Sequence, residues 1–431
     1  IRALKNHEGF IRYLKNTSWM MGEQFLRIIS GLFVGVWVAR YLGPEQFGLF
    51  SYVLAFTAIS GSIAKLGLDS VMVSVLVNDP IKRDIYLGTA FWLKVLGAFI
   101  VMGVIAAIVP FTSNDTNTNT FIFIIAAGMI FQSFEVVEFY FQSQVRAKIV
   151  STCKVIQLVL SALIKIYFVL IGGELIYFVI IAAFDVFVLA VSYSIAYKIS
   201  GNRTFYKYFD LSIAKQLLNT SWPIIFSGVV IMIYMRIDQI MIKEMLGEYE
   251  VGIYSAAVRL SEGFYFLPMM IAASLFPAIL ESKQQGEELY KQRMQRLYTF
   301  MFWLAFAIIL PMSFLSDELI VIIFGAPYQA AGQILMVHVW ASIFVFWGVA
   351  SGKWLLVENL QVLGLINIVS GVAVNLFLNY ILIPVYGVMG AAYATLVSQA
   401  VSAYFMNFMF TKTRENFYML SNSVLRLRGA K

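Results

Sequence analysis

The sequence predicts an all-α polytopic membrane protein: twelve transmembrane helices in two pseudo-symmetric six-helix bundles. Three observations predict it: a charge-poor apolar composition, twelve apolar runs of bilayer length, and a repeat that matches the two halves. Of 431 residues, 60% are hydrophobic and 13% charged, against roughly 25% charged in a soluble domain. The mean hydropathy is +0.80. That is too little charge for the surface of a soluble enzyme. An outer-membrane barrel would instead alternate apolar and polar residues in runs of about ten.

A helical span needs about 20 apolar residues at about 1.5 Å each. Spans 1 to 12 are read at 17–41, 47–77, 86–110, 121–145, 150–171, 175–198, 219–246, 252–280, 293–315, 330–357, 361–384 and 387–411. The apolar stretch 317–325 is too short to cross and ends at Gly325 and Pro327, so it reads as an interfacial half-helix. Orientation follows from the basic residues. With the N-terminus inside, 23 of the 31 Lys and Arg fall on the cytoplasmic side, and only Arg40 and Lys243 sit at outer ends. The outer loop 111–120 has none. Both termini are therefore expected in the cytoplasm. The excess of 31 basic over 24 acidic residues is then an orientation signal, with no nucleic-acid partner implied. Cys153 is the single cysteine, and with His7 and His338 it builds neither a disulfide framework nor a metal site. No cleavable signal peptide is expected ahead of span 1. Ile1, Leu4, Ile11 and Leu14 suggest an amphipathic helix on the inner leaflet, or a frayed basic tail.

The repeat joins Asn16-Thr17-Ser18-Trp19 to Asn219-Thr220-Ser221-Trp222, at an offset of 203. Span 1 exits through Leu42-Gly43, Gly48 and Ser51, and span 7 through Leu246-Gly247, Gly252 and Ser255, at an offset of 204. Both halves start on the same side, which makes them parallel repeats about an axis along the membrane normal. The expected organisation is an amphipathic N-terminus (1–16), an N-lobe of spans 1–6 (17–200), a polar cytoplasmic linker (201–216), a C-lobe of spans 7–12 (217–412) and a basic cytoplasmic tail (413–431). A transport path is expected between such bundles.

Six cations lie within spans: Arg27, Lys65, Lys94, Lys165, Arg236 and Arg259. All six facing lipid would cost roughly 15–20 kcal/mol, more than a typical folding free energy of about 5–15. They must pair, snorkel or line water. Spacings of three or four suggest Glu23 with Arg27, Lys65 with Asp69, and Arg259 with Glu262. Lys165 and Asp185 reach matching depths on spans 5 and 6, and Lys94 is expected to snorkel from the inner end of span 3. Arg27, Lys65, Arg236 and Arg259 fall on spans 1, 2, 7 and 8, the repeat-equivalent helices. Either each closes an ion pair within its bundle, or together they form a cationic path suited to an anion such as a diphosphate. Asn367, Asn375, Gln399, Gln132 and Gln157 also lie within spans; amides of this kind hold sugars or bond neighbouring helices. Glu135 and Glu138 read as a proton site or a packing pair. The string Gly348 to Lys353 has the wrong glycine spacing for a phosphate-binding loop. Short outer loops leave no room for the active site of a membrane glycosyltransferase or polymerase, so a transporter is expected and not an enzyme.

The stretch Tyr41-Leu42-Gly43-Pro44-Glu45-Gln46-Phe47-Gly48-Leu49-Phe50-Ser51-Tyr52, then Lys65-Leu66-Gly67-Leu68-Asp69, resembles the polysaccharide transporter (Wzx-type O-antigen flippase) family of the multidrug/oligosaccharidyl-lipid/polysaccharide exporter superfamily. Arg236-Ile237-Asp238-Gln239-Ile240 and Phe324-Gly325-Ala326-Pro327-Tyr328 resemble the same family in the second half. The resemblance implies two six-helix lobes around a central cavity. It implies flipping of undecaprenyl-diphosphate-linked oligosaccharide, from the inner to the outer leaflet of a bacterial inner membrane, by alternating access. Arg27, Lys65, Arg236 and Arg259 would then contact the substrate, and the O-antigen polymerase and chain-length machinery are expected partners. The lipid II flippases of the superfamily carry a sodium site made by an Asp on span 7, an Asn-x-x-x-Asp pair on span 11 and a Thr on span 12. By that resemblance Asp238, Asn375, Asn379 and Thr395 are candidates for a coupling Na+ or H+, with Asn379 standing where a carboxylate is found. The competing reading is a cation-coupled drug antiporter of the same architecture.

Overall fold

The computed structural model describes residues 2–202 and 204–425, with side chains from Lys15 onward apart from Ser70 and Leu425. The amphipathic reading of 1–16 and the tail cations Arg426, Arg428 and Lys431 lie outside the described side chains, as does Arg203. Regular structure among the described residues is helical throughout. The chain forms two compact units: the residues up to Leu42 with Val53–Met232, and Gly43–Tyr52 with Ile233 onward.

Ten helices among the described residues are long and apolar enough to cross a bilayer. Two local features separate this from the twelve runs of the sequence. Span 1 and the first part of span 2 run through one kinked helix, Arg2–Ala64, because the chain turns at Gly43 (φ 71) without losing its helical flanks, and the rest of span 2 is the short helix Leu68–Asn78. Span 12 is divided by a π-helical turn, Val401–Phe405, into pieces too short to qualify. The stretch read as a half-helix forms the short helix Ser316–Phe324, stopped at Gly325.

In the first unit the core gathers Leu68, Met72, Tyr86, Leu87, Phe91, Val137, Phe141, Tyr193 and Tyr197. The segment 201–216 is less polar in structure than in sequence. Phe205, Ile213 and Ala214 are buried in that core. Phe205 meets the rings of Tyr197 and Phe91 with centroids 5.3 and 5.7 Å away, and Trp92 Nε1 donates to the Tyr206 carbonyl at 2.9 Å.

In the second unit the sequence repeat becomes a contact. Gly43 and Gly247 both take positive φ, 71° and 107°. A Cβ on Gly48 would lie 1.8 Å from the Glu248 carbonyl oxygen, and a Cβ on Gly252 would lie 1.9 Å from that of Pro44. The two segments cross backbone to backbone with reciprocal partners, which only hydrogen at those Cα atoms allows. Gly252→Val is expected to lower stability by about 1–3 kcal/mol through overpacking, read as a lower Tm of the purified protein in detergent. An unchanged Tm would refute the close crossing.

Candidate substrate and cation sites

Span 2 breaks where its lysine sits. Leu66 and Gly67 take φ of 54° and 57°, and the helix restarts at Leu68. The break keeps Lys65 and Asp69 from closing a contact, although their charges still attract. Asp69 instead lies 3.9 Å from Lys94, which is buried at 2% exposure and donates to Glu135 at 2.7 Å. Lys94 therefore does not snorkel; burial on span 3 makes a close carboxylate the cheaper way to hold its charge. Glu138 is likewise paired, accepting from Lys154 Nζ and the Tyr193 hydroxyl, both at 2.6 Å. The two glutamates thus serve separate lysines. Lys65 is exposed; its charge attracts that of Asp69, with no contact within 4.0 Å. With Asp69, Glu135, Glu138, Phe139 and Gln142 it lines a cleft of about 510 Å³.

Arg27 pairs with Glu23 one turn away, Nε donating at 2.9 Å, and its side chain is 48% exposed. Lys165 donates to Asp185 at 3.3 Å, with Ser161 bonded to both. In the second unit Glu262 lies 3.7 Å from Arg236, an ion pair between spans 8 and 7, where the spacing had suggested Arg259. Arg259 is close enough to Arg236 for the two guanidiniums to repel.

Asp238, Asn375, Asn379 and Thr395 come together although they stand on spans 7, 11 and 12. Asn379 Nδ2 donates to Asp238 Oδ1 at 2.5 Å and to Asn375 Oδ1 at 3.1 Å. The Thr395 and Tyr254 hydroxyls both donate to Asp238 Oδ2 at 2.7 Å. Tyr254, on span 8, was missed in the sequence; it carries no charge and stands in a repeat that reads as packing. Behind it His338 Nδ1 lies 2.7 Å from the Ser261 hydroxyl. Asp238 is 5% exposed, and among the described residues no Lys, Arg or His lies within 4.0 Å of its carboxylate. Asn379 Oδ1 and Asn375 Nδ2 are buried without a hydrogen-bond partner. A buried carboxylate with no countercharge is costly. Carboxylate, amide and hydroxyl oxygens are the donor set of a hard cation, so these residues fit sodium. They would hold it with one formal charge, since Asn379 is neutral.

An α-helical chain of two such units, with a buried polar cluster around one carboxylate in the second, has the fold of an exporter-type membrane transporter. It superposes on an inward-facing MATE-family multidrug resistance transporter of the MOP superfamily with a TM-score of 0.74 at 15% identity, covering 92% of this chain and 96% of that one. Against lipid II flippase MurJ in an inward closed conformation the TM-score is 0.71 at 16% identity, covering 95% and 91%. The chain belongs to the polysaccharide biosynthesis protein family, whose model matches residues 13–283. It is similar to the probable flippase AglR of Haloferax volcanii, 26% identical over 401 residues, covering 89% of this chain and 80% of that protein. It is also similar to the probable low-salt glycan biosynthesis flippase Agl15 of the same organism, 28% identical over 193 residues. That second match spans 44% of this chain and 40% of the relative's length.

Proposed function

We propose that the chain is a flippase for a lipid-linked oligosaccharide: an undecaprenyl-diphosphate carrier bearing a polysaccharide repeat unit such as that of O-antigen. It moves the sugar and diphosphate from the inner to the outer leaflet of a bacterial inner membrane by alternating access, while the lipid tail stays in the bilayer. The observation that carries this reading is Lys65, an exposed ammonium held at a helix break on the wall of a polar cleft within a span. A cation kept at that cost in a membrane helix serves a path or a ligand. The names of the flippase relatives and the polysaccharide family support the same class. Arg27, Arg236 and Arg259 supply guanidiniums, whose planar forks match phosphate oxygens. The Asp238 cluster takes the coupling cation, read as sodium from its oxygen donors; when bound, the ion offsets the buried carboxylate.

Charge reversal tests the path. Lys65→Glu, Arg27→Glu and Arg236→Glu are each expected to abolish surface polysaccharide display in a host lacking its own flippase, at normal protein levels in the membrane. Normal display in all three would remove the cationic path. Drug resistance conferred on a susceptible strain, without any display, would favour the antiporter reading.

A further inference from the structure

We propose that the cation exchanges between the Asp238 cluster and the Lys412–Arg414 end of the second unit along a buried polar file between spans 11 and 12. The inference rests on reading the Asp238 cluster as a cation site.

The file begins in the register of span 11. Asn379, Asn375, Gly371 and Asn367 recur every four residues and so share one helix face, and all four are buried. Gly371 lets span 12 approach that face closely. A Cβ there would lie 2.7 Å from the Ser402 Cβ, 3.1 Å from the Tyr234 hydroxyl and 3.2 Å from the Ser402 hydroxyl, so the bare Cα brings both hydroxyls up to the stripe. Tyr234 Oη donates to Ser398 Oγ at 3.4 Å. Span 12 changes from α to π pitch at Val401–Phe405, the segment that contains Ser402; such turns loosen backbone hydrogen bonding and recur at functional sites. Below this level Asn367 Nδ2 donates to Asn407 Oδ1 at 3.5 Å, and Asn416 Nδ2 donates to the same oxygen at 3.1 Å. From Asn379 to Asn367 the helix rises about 18 Å, more than half of a hydrocarbon core about 30 Å thick.

Interhelical hydrogen bonding alone does not account for the stripe. Side chains kept to bond helices together should satisfy one another. Here Asn379 Oδ1, Asn375 Nδ2 and Asn367 Oδ1 are buried on the shared face with no partner. Water, or a cation moving with water, supplies those partners. The lining also suits passage over capture. Below Asp238 the named groups are neutral amides and hydroxyls, which coordinate a monovalent cation without adding a second formal charge to trap it.

The test uses the full chain in proteoliposomes. Cys153 is the single cysteine, so Cys153→Ala gives a thiol-free background. In that background Asn367→Cys and Ser402→Cys are expected to react with a small cationic methanethiosulfonate, and sodium is expected to slow the reaction. Leu376→Cys, on an exposed apolar position of the same helix, is expected to stay unreactive. Asn367→Leu is expected to slow exchange of radioactive sodium roughly tenfold, the effect of one lost polar contact, while equilibrium sodium binding stays at the parental level. Asn367→Ser, which keeps a hydroxyl, is expected to retain most of the rate. Unreactive thiols at 367 and 402, together with parental exchange in Asn367→Leu, would overturn the file. Undiminished sodium binding by Asp238→Asn would instead overturn the cation site beneath it, a result the thiol reactions do not share.

Discussion

Asp238→Asn is expected to lower sodium affinity roughly a thousandfold and to leave flipping insensitive to a sodium gradient. The magnitude follows from charge. Asp238 is the one formal charge of its cluster, and Asn375, Asn379, Thr395 and Tyr254 add only dipoles. Two unit charges about 4 Å apart interact by about 4 kcal/mol at the effective dielectric of a protein site, and each 1.4 kcal/mol or so is a factor of about ten. The substitution preserves shape, so the protein should accumulate normally. Equilibrium sodium binding to the purified protein reads the affinity, and display under imposed gradients reads the coupling. Asn379→Asp should move the other way, adding a second carboxylate at a position of 0% exposure and tightening sodium. A parental affinity in Asp238→Asn would dismiss the cluster as the ion site. Display that follows a proton gradient and ignores sodium would make the coupling ion a proton.

The largest loss of stability is expected from Glu135→Ala. It strips Lys94, 2% exposed, of its 2.7 Å partner and leaves only Asp69 at 3.9 Å. Removing one member of a buried ion pair costs about 3–5 kcal/mol, because the remaining charge is stranded. The double variant Lys94→Met with Glu135→Met removes both charges and keeps apolar volume, so it should lie much closer to the parent. Thermal unfolding in detergent distinguishes the two: a deep drop in Tm for the single variant and a shallow one for the double. Equal drops would locate the effect in packing. The Lys94 ammonium also stands over the Phe139 ring, 5.0 Å from its centroid, and its side chain is buried, so packing is the natural alternative.

These two sites show what could be read in one dimension. Asp238, Asn375, Asn379 and Thr395 were legible because polar residues inside apolar helices stand out, and because their order along spans 7, 11 and 12 matches a known family. Tyr254 was invisible by the same logic, since tyrosine is common in membrane helices and only the meeting of spans 7, 8 and 12 turns its hydroxyl toward Asp238. Of the ion pairs, Glu23 with Arg27 and Lys165 with Asp185 formed as read, and the other two did not close, for a related reason. Spacings of three and four favoured Lys65 with Asp69 and Arg259 with Glu262. The chain breaks its helix at Leu66–Gly67 and brings Arg236 to Glu262. A same-helix pair has a spacing signature; a cross-helix pair shows only where depths match on consecutive helices, as for Lys165 with Asp185.

The sequence by itself determined the all-helical membrane class, the doubled organisation and the places where charge had to be accommodated. Hydropathy acts residue by residue, and its consequences survive without knowing any neighbour. Tertiary structure decided which acid each cation meets, that 201–216 is tethered by Phe205, and that Gly48 and Gly252 form a reciprocal crossing. Those outcomes depend on residues far apart in the chain arriving within a few ångströms, and burial then makes each such meeting costly to leave unpaired.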